Sequence, residues 1–202
     1  MGDLSVYEQV LGERFAELDP RLHRYFRRPP AGHDGSGRGV YEQAGSGRRV
    51  LRPLLHVMAW RQTLFPESGR GIPFTILNTV TDAGTLRAVR TFGFPGRTRV
   101  MRDEMSVRDG FLVDRLGRRG GLEVRLGVEV RQGAMRLRSD RLVWRIARLR
   151  IPLPRVARVT VDERATAAGQ HVDVRLRSPL IGEFFRYSGT FTYDDAPAVT
   201  SS

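Results

Sequence analysis

The chain of 202 residues contains no cysteine. Disulfide bonds and thiolate chemistry are therefore excluded, and with them a small secreted module held together by disulfides. No apolar run reaches the ~20 residues that a transmembrane helix needs, and the first residues lack the basic and long apolar segments of a secretory signal. These absences predict a cytoplasmic protein, with a peripheral position on the membrane as the alternative.

Residues that carry well-defined chemistry are also scarce. The four histidines are scattered without the spacing of a metal site, and no serine stands in a nucleophile elbow. The glycine run Gly35-Ser-Gly-Arg-Gly39 follows a double proline rather than a strand, so it is not typical of a dinucleotide loop. The sequence therefore predicts no metal ligand, no cofactor site and no assignable catalytic residue.

Lysine is missing as well, so all 34 basic side chains are arginines, against 22 acidic ones, and the formal net charge is +12. Guanidinium groups match phosphate oxygens, which would suit an anionic membrane or nucleic acid. A GC-rich genome explains the missing lysine, although not the surplus charge. Because the arginines are spread over nearly every segment, we favour codon bias and expect no nucleic-acid partner.

From Pro73 to Tyr193, apolar and polar residues alternate with a period of two, as in segments 122–130 and 185–193. This alternation is typical of strands with one buried face. The turn residues between them leave no room for crossover helices, so the strands pair as an antiparallel meander. Eight or nine strands would expose long edges unless the sheet closed or curled strongly. The predicted fold class is α+β, mainly β and barrel-like, with a curled sheet around a helix as the alternative.

The first 71 residues are predicted to form a helical cover and connector. We expect helices at 4–18, where Ser5 and Glu8 have the spacing of a capping box, at about 20–27 and at 50–64. A flexible glycine-rich loop is expected at 31–39 and a short strand at 40–43. Residues 72–194 are predicted to form the β domain, which makes one compact unit with the helices, and residues 195–202 a disordered tail.

Five polar residues of the predicted strands share a face with apolar neighbours. Asn78, Arg90 and Glu163 interrupt apolar faces, while Tyr187 and Tyr193 alternate with phenylalanines. A buried charge is costly unless it is paired, so Arg90 and Glu163 form either an internal salt bridge or the polar part of a ligand cavity. A desolvated Glu163 could also act as a general base, with Arg90 stabilising an oxyanion.

Several longer motifs resemble a known family over about residues 5–194. They are Tyr7-Glu-Gln-Val-Leu-Gly-Glu-Arg-Phe15, Leu64-Phe-Pro-Glu-Ser-Gly-Arg-Gly-Ile-Pro-Phe-Thr-Ile-Leu-Asn78, Arg90-Thr-Phe-Gly-Phe94, Pro152-Leu-Pro154, Val161-Asp-Glu163 and Pro179-Leu-Ile-Gly-Glu-Phe-Phe-Arg-Tyr-Ser-Gly189. The family is the uncharacterised bacterial domain-of-unknown-function family 4166. Its members stand alone or are fused to saccharopine-dehydrogenase-like NAD(P)-binding segments or to membrane segments in YndJ-like proteins. The resemblance implies an NAD(P)-binding reductase-like or membrane partner, and it assigns no activity and no catalytic residue to positions of this chain.

Three hypotheses for function follow. The favoured one is a module that binds an apolar or amphipathic small molecule, which requires an enclosed cavity of roughly a few hundred Å³ beneath the helices. The second is an enzyme that uses the Glu163 and Arg90 pair. The third is a binder of anionic membrane or nucleic acid that uses external arginines. These arginines are Arg136, Arg138, Arg141 and Arg145.

Overall fold

Ten antiparallel strands close into a barrel in the computed structural model, which describes residues 4–146, 149–154 and 157–198. The strands of the barrel are β1 (His33–Gly45), β3 (Ile72–Val80), β4 (Leu86–Phe94), β5 (Arg97–Arg108), β6 (Phe111–Leu116), β7 (Leu122–Arg131), β8 (Ala134–Ile146), β10 (Arg158–Thr166), β11 (Gly169–Ser178) and β12 (Gly182–Pro197). Two short strands lie outside it, β2 (Ser68–Gly69) beside β1 and β9 (Leu149–Pro152) beside β8. Strand β10 also pairs with β8, which joins the two edges of the sheet and closes the barrel. The predicted mainly antiparallel, barrel-like fold is confirmed.

Nearly every strand pairs with the strand that follows it in sequence, and β1 fills the gap between β12 and β3. The period-two pattern sets which face is buried: along β3, Phe74 and Ile76 are buried while Thr75 and Leu77 are exposed. The strands predicted from residue 73 onward correspond to the nine barrel strands from β3 to β12, and β1, predicted only at 40–43, is the tenth.

The segment predicted as a glycine-rich loop is instead the first half of β1, which corrects that expectation. Gly35, Gly37 and Gly39 occupy alternate positions of this strand. A Cβ atom at Gly35 would lie 1.6 Å from the Tyr193 hydroxyl oxygen, and one at Gly39 would lie 2.2 Å from the Thr190 carbonyl oxygen. These positions carry glycine because the side chains and backbone of β12 leave no room for any other residue.

Short helices before β1 cover one end of the barrel. Helix α1 (Val6–Leu11) begins with the predicted capping box, in which Ser5 Oγ accepts from the Glu8 amide and Glu8 accepts from the Ser5 amide. The helix is shorter than predicted because the backbone turns at Gly12 and continues as a 3₁₀ helix to Glu17. A further 3₁₀ turn at 20–22 leads into α2 (His23–Phe26). We call the end of the barrel that these helices cover the α1 end.

Helix α3 (Arg52–Trp60) lies at the opposite end, between β1 and β3, and follows a 3₁₀ turn at 49–51. It ends four residues before the predicted boundary. The backbone after it is held to the barrel, since Gln62 O accepts from the Arg102 amide at 3.0 Å and Arg61 O accepts from the Arg118 amide at 3.0 Å. We call this the α3 end.

The predicted boundaries of the β domain differ from the strands in two places. Strand β1 comes from within the first 71 residues, so the N-terminal part contributes a wall of the barrel as well as helices. Strand β12 continues to Pro197, so residues 195–197 of the predicted tail belong to it, and residues 199–202 lie outside the described residues. No helix among the described residues is both long and apolar enough to cross a bilayer.

The barrel interior has an aromatic side and an aliphatic side. On the aromatic side, Tyr41 stacks on Phe74 with ring centroids 3.7 Å apart, and Phe65 packs edge-on against Phe92 and Phe185. The opposite strands contribute branched aliphatic side chains, such as Val124 and Leu126 of β7. Both sides border the free space of the interior.

Candidate ligand cavity

A cavity runs through the barrel interior between the two covered ends. Tyr7 and Tyr25 reach it from the α1 end, and Thr63 and Leu64 from the α3 end. Its volume is about 90 Å³, which is smaller than the few hundred Å³ that the favoured hypothesis requires. One buried water needs ~10–15 Å³ of such space. The cavity therefore accepts several waters or a guest of a few heavy atoms unless side chains move.

The wall facing the aromatic cluster is aliphatic. Its members are Leu116, Val124, Leu126, Leu137, Val159, Val161, Val172, Val174 and Leu176. They come from β6, β7, β8, β10 and β11, where each occupies an inward-facing position of its strand. This wall offers an apolar guest dispersion contacts and removal from water.

A cluster of ionisable groups interrupts the apolar lining. Arg90 of β4 donates a hydrogen bond to Asp103 Oδ1 of β5, with 13% of the arginine side chain and 3% of the aspartate side chain exposed. The two strands place Ala88 opposite Asp103 and Arg90 opposite Met101, so the pair is a diagonal one across adjacent strands. Arg90 stays protonated, and Asp103 is its counter-ion.

Asp114 and Glu163 are the other two carboxyl groups of the lining. Burial raises the pKa of Asp114 well above its usual range, the negative charge of Asp103 raises it further, and Arg90 lowers it less. Burial also raises the pKa of Glu163 from 4.5 to about 7, against the lowering effects of a hydrogen bond from Gln170 and the charge of Arg90. Burial therefore favours the protonated form of Asp114, and Glu163 is present in both protonation states near neutral pH.

Tyrosine hydroxyls add neutral polar groups to the lining. Burial raises the pKa of Tyr187 to about 12 and raises those of Tyr7, Tyr25 and Tyr41 well above the ordinary value. Their hydroxyls stay protonated and can both donate and accept hydrogen bonds. The Tyr7 hydroxyl lies 3.3 Å from the sulfur of Met105, a weak acceptor.

The five residues expected at the cavity separate into two groups. Arg90, Glu163 and Tyr187 line it. Asn78 and Tyr193 do not, because Asn78 Nδ2 donates to the Tyr193 hydroxyl at 3.0 Å and the pair packs beside the glycines of β1. Arg90 bonds to Asp103 rather than to Glu163, so the internal salt bridge suggested by the sequence has a different acidic partner.

The sequence interpretation missed Asp103 and Asp114, although the same pattern marks them. Asp103 stands between Met101 and Met105 at spacings of two, and Asp114 stands between Leu112 and Leu116 in the same way. Each is therefore a polar residue on an apolar strand face. Tyr7 and Tyr25 come from the helices, where no strand alternation could have indicated that they reach the cavity.

Two carboxyl oxygens of the cluster are buried without a hydrogen-bond partner among the described residues, Asp103 Oδ2 and Asp114 Oδ1. Buried polar atoms are usually paired, so these two atoms are suited to receiving hydrogen bonds from a guest or from water. No three His, Asp or Glu side chains in the described ranges are arranged as metal ligands.

The arginines named for the third hypothesis are mostly engaged with neighbouring carboxylates on the outer wall. Arg136 bonds to Asp162, Arg138 lies 3.8 Å from Glu129, and Arg145 lies 3.5 Å from Glu123. Glu129 is shared with Arg131, and Glu123 with Arg115 and Arg150, so these carboxylates compensate the positive charge of β8 only in part.

The fold and its interior define the chain as a closed antiparallel β-barrel domain with an internal cavity. It belongs to the family described as Domain of unknown function (DUF4166), whose sequence profile matches residues 18–191. It is also similar to the uncharacterized protein YndH of Bacillus subtilis strain 168, with 27% identity over 205 residues, covering 95% of this chain and 98% of that protein. No solved structure matches the chain. The family indicated by the sequence motifs is confirmed.

Proposed function

We propose that the barrel binds a small amphipathic molecule in its interior. The observation that carries the proposal is the pair of unpartnered acceptors, Asp103 Oδ2 and Asp114 Oδ1, within the cavity residues. A buried polar atom without a partner costs ~1–3 kcal/mol. A guest that donates hydrogen bonds to these atoms removes that cost, while its apolar part lies against the aliphatic wall.

The charges of the cluster support a guest that donates hydrogen bonds, such as one with hydroxyl or amino groups. Arg90 is already paired with Asp103, so an anionic guest would meet no free cation and two further carboxyl groups. A purely apolar guest would leave the acceptors unpaired. A compact molecule with a polar end and an apolar end suits both halves of the lining.

The test is native mass spectrometry of the protein purified from its own host, compared with the mass after denaturation. We expect a retained small molecule in the wild type and its loss in Leu137→Phe, which fills the cavity from β8. The matched control is Leu77→Phe, since Leu77 points outward from β3 and is 39% exposed. Wild-type protein that never carries a bound mass, or equal retention in both variants, contradicts the proposal.

The polar half of the site has its own test. Asp114→Leu removes one of the two unpartnered acceptors and leaves the aliphatic wall intact. We expect its ligand occupancy, measured in the same spectra, to fall below that of the wild type, because the loss of one hydrogen bond to a buried group lowers the affinity about tenfold. Unchanged occupancy would mean that the guest does not use this carboxyl group.

Proton-transfer catalysis is a second candidate because Glu163 has a pKa of about 7 and lines the cavity. A general base is most effective when its pKa is close to the working pH. If Glu163 removes a proton from the guest, Glu163→Gln should bind the substrate without converting it. The variant would then retain a different mass from the wild type, whereas identical retained masses would argue for binding alone.

We also propose a cytoplasmic location and association with an NAD(P)-binding reductase-like or membrane partner. A barrel that holds a small molecule could supply it to such a partner. Co-purification of tagged protein from the host, followed by identification of the bound proteins, tests this expectation, and recovery of the chain alone would count against it.

A further inference from the structure

The exposed apolar side chains of this protein are concentrated at the α3 end. Thirteen large apolar side chains are exposed among the described residues, and nine of them belong to α3 and its preceding turn or to two hairpins that reach this end. These nine are Val50, Leu54, Val57, Trp60, Trp144, Leu149, Ile151, Leu180 and Ile181. Isolated exposed apolar residues are ordinary, but a cluster of this size marks an interaction surface.

The topology of the barrel brings these elements together. In an up-and-down barrel, successive connections alternate between the two ends, so the β6–β7, β8–β9 and β11–β12 connections all lie at the end where β1 leads into α3. Hydrogen bonds link them: Arg48 donates to Ile181 O at 3.0 Å, and the Arg145 amide donates to Gly121 O at 2.8 Å. The side chain of Arg61 passes beside Gly121 and completes the contact between α3 and the hairpins.

Both tryptophans of the chain are in this cluster. Trp60 is 71% exposed at the last turn of α3, and Trp144 is 46% exposed opposite Ile151 in the β8–β9 hairpin. Leu180, at the tip of the β11–β12 turn, is 91% exposed. Tryptophan and leucine on protruding elements favour the boundary between lipid headgroups and acyl chains.

The same end carries an excess of positive charge. Residues 48–61 contain four arginines and no acidic residue. Arg118 and Arg119 are exposed in the β6–β7 turn, and in the described ranges neither they nor Arg49 and Arg52 have a carboxylate within ion-pair distance. The nearby Glu67, Glu123 and Glu183 are already paired with other arginines.

We propose that the α3 end docks on the surface of an anionic lipid bilayer. Trp60, Leu54 and Leu180 enter the interface, and the arginines around them lie against lipid phosphates, as cationic side chains do near anionic membranes. A second copy of the chain fits this surface poorly, since a symmetric dimer would bring the two cationic patches together. The proposal does not depend on the cavity ligand.

The test is co-sedimentation of the full chain with vesicles of phosphatidylcholine alone and of equimolar phosphatidylcholine and phosphatidylglycerol. We expect binding to the anionic vesicles, a blue shift of tryptophan emission on binding, and weakening as salt screens the charges. The triple variant Leu54→Ser, Trp60→Ser, Leu180→Ser should bind at least ~10-fold more weakly, because exposed leucine and tryptophan can no longer leave water. Its control is Val40→Ser with Leu77→Ser, which changes exposed apolar residues on the barrel wall.

A second variant separates local from general charge. Arg49→Gln, Arg52→Gln and Arg118→Gln should weaken binding about 100-fold, since each arginine near an anionic surface contributes roughly fivefold. The matched control neutralises three exposed arginines away from the α3 end, Arg38, Arg108 and Arg164. Equal weakening by both sets overturns the proposal, and so does absence of binding to anionic vesicles at low salt. A concentration-dependent dimer in size exclusion that the serine variant abolishes would also overturn it and assign the surface to a second copy.

Discussion

Replacing Glu163 by glutamine should raise the free energy of unfolding at neutral and alkaline pH but not at acid pH. Glu163 is 6% exposed inside the barrel, and burial raises its pKa from 4.5 to about 7. The folded state therefore holds a proton on Glu163 in a pH range where the unfolded state has released it. Stability must fall as pH rises through this range, because ionising the buried carboxyl opposes folding.

The magnitude follows from the shift in pKa. Each pKa unit corresponds to about 1.4 kcal/mol, so a rise from 4.5 to about 7 lowers the free energy of unfolding by about 3 kcal/mol above neutral pH. Glutamine is nearly isosteric with a protonated glutamate and keeps the carbonyl oxygen that accepts from Gln170. Glu163→Gln should match the wild type at pH 4.5 and exceed its stability by about 3 kcal/mol above pH 7.

The measurement is urea unfolding followed by circular dichroism across this pH range, with the difference between variant and wild type plotted against pH. Glu104→Gln is the control of opposite sign. Burial alone raises the pKa of Glu104, but hydrogen bonds from Arg87 and Thr85 outweigh it and lower the pKa. Its stabilising contribution is present above the unfolded pKa and is lost as pH falls. A difference for Glu163→Gln that does not change with pH would refute the assignment of Glu163 as a desolvated carboxyl group.

Two further substitutions test the barrel interior by the same unfolding measurement. Arg90→Met leaves Asp103 buried without its counter-ion and should lower the free energy of unfolding by about 3–5 kcal/mol. The double variant Arg90→Met with Asp103→Leu should recover most of that loss. Equal losses in the single and the double variant would show that the unpaired charge of Asp103 is not the cause. Gly39→Ala places a Cβ atom 2.2 Å from the Thr190 carbonyl oxygen and should lower the free energy of unfolding by roughly 1–3 kcal/mol. Gly93→Ala, whose Cβ would lie no closer than 3.5 Å to any neighbour, is the control, and similar losses at both positions would contradict the packing explanation for β1.

Most of the barrel could be predicted from the sequence because its signals are local. Alternation and turn residues identify every strand from β3 to β12 except the short β9. Only residues 40–43 of β1 were predicted as a strand, because three alternate positions before them are glycine, which has no side chain to show a period. The reason for those glycines lies on β12, where Phe191 and Tyr193 occupy the space above them. A local pattern cannot contain a steric constraint set by residues about 150 positions away.

The polar residues of the interior illustrate the same limit at the level of pairs. The alternation of side chains along a strand indicates that Arg90 and Glu163 face inward, because the side of the sheet that a residue faces depends only on its position along its own strand. Which acid meets Arg90 depends on the register between strands, and β5 provides Asp103 diagonally across from it. Applied to every strand, the rule of polar residues on apolar faces finds Asp103 and Asp114, so the composition of the cluster was accessible even though its pairing was not.

Helix α3 shows why an apolar stripe does not by itself identify a buried face. Its spacing predicts that Leu51, Leu54, Leu55 and Met58 face the core, yet Leu55 is buried and Leu54 is 57% exposed. The helix lies at the end of the barrel rather than against a broad sheet face, so only a narrow strip of it can contact the core. Apolar residues beyond that strip remain in water unless something else covers them. The excess of apolar character in α3, together with the arginines beside it, is what an amphipathic helix needs in order to bind a membrane surface.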